Sequence, residues 1–139
     1  MTQTDNIRHI LRHYRTVAVV GLSPKQHRAS FEVAHYMQKH GWRIIPVNPV
    51  AATSGTPILG EKVYATLLDA ARHEKIELVD VFRNAEDVPP VVAEAIAIGA
   101  QAVWLQLGIV NDQAIATAHA AELRTVQDKC LLVEHAVGV

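Results

Sequence analysis

Apolar residues recur in two registers along the chain. Ile7, Ile10, Leu11 and Tyr14 stand at i, i+3, i+4 and i+7, one stripe of a helix that Thr4 or Asp5 can cap. The Arg and His residues between them face water. Residues 17–20 are continuously apolar and rich in β-branched side chains, which suits a strand covered on both faces. Ser30 predicts the N-cap of a second helix carrying Val33, Ala34 and Met37, and Gly41 its end. Residues 42–47 read as the next strand, stopped by Asn48-Pro49. Residues 50–60 read as a turn-rich loop, 66–73 as a short helix and 78–82 as a third strand. Asp87 predicts a cap, with Pro89 and Pro90 in a first turn where a missing N–H costs little, and Gly99 closes that helix. A fourth strand over 103–107 breaks at Gly108, Asn111 caps a helix running to about residue 122, and 125–127 is a short fifth strand.

Strands alternating with helices predict an α/β fold: a Rossmann-like, doubly wound parallel sheet of about five strands in three αβα layers. The expected order is 3-2-1-4-5. Ligands of such sheets lie beyond the carboxyl ends of the strands, where the order reverses. Here that predicts a crevice between strands one and four, with loops beginning at Gly21 and Gly108. A length of 139 residues fits one domain, 1–139. Thirteen Lys and Arg against 14 Asp and Glu leave no positive excess for broad nucleic-acid or membrane-surface binding. Cys130 is the single cysteine, which excludes an intrachain disulfide and a thiolate zinc cluster. The charged N-terminal stretch has no apolar signal-peptide region, and no run of about 18 apolar residues exists to span a bilayer. A cytoplasmic protein is expected.

The loop after strand one carries the candidate chemistry. Gly21 permits a sharp turn and close approach of a ligand to the backbone. Leu22 and Ser23 offer N–H groups, Ser23 adds a hydroxyl, and Lys25, His27 and Arg28 add two fixed charges and one titratable group. Ser30 opens a helix whose free N–H groups and dipole favour an anion. The stretch G-L-S-P-K-Q-H-R-A-S lacks the G-x-G-x-x-G of dinucleotide binding. Strand two ends in Asn48-Pro49, not in the acid that holds ribose hydroxyls, so NAD is disfavoured. G-x-x-x-x-G-K-[ST] is absent too, which disfavours nucleotide hydrolysis.

The motifs V-A-V-V-G-L-S-P-K, R-A-S-F-E-V-A, I-P-V-N-P, G-E-K-V-Y, V-D-V-F-R, V-W-L-Q-L-G and D-K-C-L-L-V-E-H follow in order. Over residues 8–136 the chain resembles the small single-domain CoA-binding proteins, which are similar to the CoA-binding N-terminal domain of the succinyl-CoA synthetase alpha subunit. That resemblance implies a fold that binds coenzyme A or an acyl-CoA. It implies that Gly21, Leu22 and Ser23 form the phosphate loop and that Lys25 and Arg28 suit the 3′-phosphate or pyrophosphate. It implies that Asn48 and Pro49 border the adenosine, that Phe82 and Arg83 end strand three, and that Gln106, Leu107 and Gly108 flank the pantetheine arm. In the synthetases, catalysis uses a phosphorylated histidine on a second domain and a nucleotide-grasping domain, neither of which fits in 139 residues. A binding module without chemistry of its own is therefore expected, acting alone, as a homodimer or with a partner enzyme. The alternative is a small NAD(P)- or other nucleotide-dependent enzyme in the same crevice.

Other residues read as structural. His9 and His13 share a helix turn, but the surrounding arginines and the lack of a carboxylate argue against a metal. Cys130 lies near Glu134 and His135 in sequence, which does not make it a nucleophile. Asp80 sits inside an apolar strand and needs a partner if buried. Trp42, at a strand start, is expected to be partly exposed.

Overall fold

The computed structural model describes residues 1–138. The strands β1 (Thr16–Val20), β2 (Arg43–Val47), β3 (Leu78–Val81), β4 (Ala102–Leu105) and β5 (Arg124–Val126) form one parallel sheet in the order β2-β1-β3-β4-β5. Alternation sends Val17, Val19, Ile44, Leu78 and Trp104 to one face, under α1 (Gln3–His13), α2 (Ala29–Lys39) and α7 (Leu131–Ala136). Ala18, Val20, Ile45, Val79 and Val103 face the other way, under α4 (Leu67–Ala71), α5 (Val88–Ala97) and α6 (Asp112–Ala120). This is the expected doubly wound, three-layer class.

The strand order carries one correction. Outside β2, Asn48 N–H donates to the Tyr64 carbonyl and Tyr64 N–H to that of Pro46, a single parallel bridge. Counted as the third piece of the sheet, this bridge gives the expected 3-2-1-4-5 arrangement with one more strand at the far edge. The segment read as strand three, 78–82, instead lies between β1 and β4. All four residues of β3 are buried, so it needs cover on both faces and belongs at the centre. Tyr64 and Ala65 stay half-exposed and can serve only as an edge. The order reverses between β1 and β3, and the crevice shifts with it.

Several caps differ from expectation. α1 begins two or three residues early, at a capping box: Thr2 Oγ1 accepts from Asp5 N–H at 3.1 Å, and the Asp5 carboxylate accepts from Thr2 N–H at 3.1 Å. Residues 50–60 are not all loop. Asn48 accepts from Val50 and Ala51 N–H, Pro49 fits the first helical position, and α3 (Pro49–Ser54) forms. Asp87 makes no side-chain cap; a 3-10 turn, Ala85–Asp87, leads directly into α5. Asn111 does cap α6, accepting from Ala114 N–H at 3.0 Å. Trp42 is buried, with the Arg15 guanidinium 5.7 Å over its ring.

Two side-chain clasps fix the outer elements. At β5, Gln3 donates to the Gln127 carbonyl and accepts from its N–H, while Asn6 donates to the Thr125 carbonyl, at 2.9–3.1 Å. At α7, Tyr36 Oη and His135 Nδ1 are 3.0 Å apart, with the His40 ring stacked on Tyr36. Burial, then His40 and Arg15, hold the His135 imidazole below its usual pKa. Only the neutral ring has a nitrogen that can accept a hydrogen bond from the tyrosine O–H. A depressed histidine pKa makes its stabilising contribution full above about 6.5 and lost as pH falls below that value. Tyr36→Phe is expected to cost about 0.5–1 kcal/mol at pH 8, the lower part of the range because the pair is half-exposed. The cost should shrink at pH 5. Urea unfolding at both pH values checks this; an equal cost at both would contradict it.

Candidate functional site

At the carboxyl edge of the sheet the chain leaves β1 at Gly21. Its N–H donates to the Val47 carbonyl at 2.8 Å, and its φ is +89°. Leu22 is fully buried and plugs the loop into the core. Ser23 N–H donates to Ser30 Oγ at 3.0 Å, and Lys25 N–H to Ser23 Oγ at 3.1 Å. Ser30 is therefore not the N-cap. Arg28 holds that position without a side-chain cap, and Ser30, one residue inside α2, reaches back to pin the loop. The first N–H groups of α2 have no intrahelical partners and remain open to an anion.

This loop forms one wall of a cleft of about 770 Å3. Gly21, Ser23, Arg28 and Ser30 line it on one side, Phe82 and Arg83 line it just beyond β3, and Gly108 lies at the β4 end. Sequence reasoning missed Ala29, residues 84–87 and Ile109, which also line it. The signal for 84–87 was the position of strand three. Once 78–82 is recognised as β1's neighbour, the turn after it must face the Gly21 loop.

The other expected site residues lie outside the cleft lining. Lys25 and Pro49 are exposed on the loop surface. Asn48 is spent as a brace: its amide donates to the Leu22 carbonyl at 2.9 Å while its oxygen caps α3. Gln106 is buried, and its side-chain oxygen accepts from Leu131 N–H at 3.2 Å. Leu107 points to solvent, 68% exposed. These braces connect the end of β2 to the loop after β1, and the end of β4 to α7.

The cleft is electrostatically uncommitted. Among the described residues the ion pairs are those of Arg43 with Glu61 and Glu74, remote from it. Arg28 and Arg83 on its walls, and Glu86 and Asp87 beside them, have no charged partner within 4 Å among the described residues. Two free guanidiniums, open helix N–H groups and a glycine turn suit a phosphorylated ligand. His135 is engaged by Tyr36, and half-buried Cys130 begins α7.

A parallel doubly wound sheet with a cleft at its switch point defines the class: an α/β domain of Rossmann-like form. Within that class, residues 15–136 match the family model described as CoA binding domain, and the chain belongs to that family. It is 36% identical over 131 residues to the uncharacterized protein YneT of Bacillus subtilis, covering 94% of this chain and 93% of that one. It is similar to the solved structure of a hypothetical protein from Pyrococcus horikoshii, with 37% identity and a TM-score of 0.88 over 99% of this chain and 92% of that one. A dinucleotide-forming acetyl-coenzyme A synthetase of Ca. Korarchaeum cryptofilum shares the fold, at 17% identity and a TM-score of 0.73, over 86% of this chain and 27% of that one.

Proposed function

We propose that this protein holds coenzyme A or an acyl-CoA across the β1–β3 switch point, as a binding module without chemistry of its own. The observation that carries this reading is the pair of free arginines, Arg28 and Arg83, set with the open N-terminus of α2 around one cleft. The ligand's phosphates lie against Gly21, Ser23 and Ser30, and Arg28 contacts the 3′-phosphate. Family membership supports a CoA-type ligand over NAD. The pantetheine arm runs from this end across β3 towards Gly108. Residues 1–139 act as one domain.

Thermal unfolding with CoA, acetyl-CoA, NAD and ATP tests the reading. A ligand at 100 times its dissociation constant adds about 2.7 kcal/mol of apparent stability. CoA and acetyl-CoA are expected to stabilise and NAD not; stabilisation by NAD alone would overturn the proposal. Arg28→Ala is expected to weaken CoA more than dephospho-CoA, by about tenfold, the loss of one charge-assisted contact. Equal losses move that contact to the pyrophosphate.

A further inference from the structure

The far end of the cleft differs in chemistry from its phosphate end. Adjacent parallel strands lie about 4.8 Å apart, so the loop after β4 stands roughly 10 Å from the loop after β1, with β3 between. At that distance the lining changes to Ile109, flanked by Leu107 and Val110, which are 68% and 47% exposed. Asn111 donates to the Ala85 carbonyl at 2.9 Å and so fastens this apolar loop to the turn that carries Glu86 and Asp87. Both carboxylates line the same cleft and are unpaired. The result is one tethered unit with an apolar lip and a negatively charged wall.

Resting on the CoA reading above, we infer that the group carried on the ligand's thiol is an uncharged aliphatic acyl chain, covered by Leu107, Ile109 and Val110. Covering a leucine and a valine that otherwise face water favours a hydrocarbon chain. Glu86 and Asp87 work in the opposite sense on an acyl group ending in a carboxylate, because like charges would meet at that wall of the cleft. The turn and the loop together sort acyl-CoA ligands by length and by charge.

Calorimetric dissociation constants for CoA, butyryl-CoA, octanoyl-CoA and succinyl-CoA test this. Octanoyl-CoA is expected to bind about tenfold tighter than CoA, and succinyl-CoA about tenfold weaker than butyryl-CoA. In the double variant Leu107→Ser, Val110→Ser the octanoyl-to-CoA ratio should fall to about one. In Glu86→Gln, Asp87→Asn the succinyl-to-butyryl difference should close. Equal affinity for CoA, butyryl-CoA and octanoyl-CoA would overturn the inference and leave the CoA reading standing. Absence of CoA binding itself would overturn the reading beneath it.

Discussion

Gly21→Ala is expected to lower the unfolding free energy by about 2–6 kcal/mol, the sum of a strained backbone and an overpacked contact. The residue sits at φ +89°, where an L side chain is strained. A methyl group there would collide with the Phe82 carbonyl oxygen, and backbone cannot swing aside as a long side chain can. The collision also forces apart β1 and β3, the two strands that flank the switch point. Gly108→Ala provides the comparison. Its φ of +85° brings the same strain, but nothing lies within 4 Å of the added methyl, so about 1–2 kcal/mol is expected. Urea unfolding of both variants checks the contrast. Equal losses would show that strain alone matters and that the carbonyl contact gives way.

The second large effect is expected at Asp80. Its carboxyl is wholly buried in β3, in register between Val19 and Trp104, and neither oxygen has a hydrogen-bond partner. Burial alone raises its pKa well above the usual 3.8, so the folded protein keeps the proton that the unfolded chain releases. The folded state therefore binds the extra proton between those two pKa values, and stability falls as pH rises through that window. One proton corresponds to about 1.4 kcal/mol per pH unit. Asp80→Asn keeps the shape and most of the hydrogen-bonding defect but cannot ionise. Relative to the parent it should gain stability progressively from pH 4 towards pH 7. A difference that is constant with pH would mean that Asp80 has a partner or an ordinary pKa.

The layered α/β class was legible because β1, β3 and β4 are short, almost wholly apolar runs, and helices ended by Gly41 and Gly99 separate them. The turn after β1 was legible as well, since Gly21 and the cations after it stand in one contiguous stretch. Strand order was less so. The Tyr64 bridge is one residue long and leaves no periodic signal, so the pattern alone puts 78–82 beside β2 and not beside β1. Asn48 and Gln106 show a second limit. An amide at the end of a strand suits a ligand or a brace equally, and only the positions of Leu22 and Leu131 decide for the brace. Ser30 fails as a cap for the same reason: its hydroxyl has a competing donor in Ser23, seven residues back.

The paired amides of Gln3 and Asn6 on β5 have a bearing beyond the docking of α1. An uncovered outer strand is a template on which another chain can extend the sheet, the first step of disordered self-association. Gln3 meets both polar groups of Gln127 as a neighbouring strand would, but it does so from a helix, which cannot propagate the ladder. At the opposite border a lone bridging residue, Tyr64, leaves too little ladder to copy. Among the described residues both borders of the sheet are thus closed to growth by further strands.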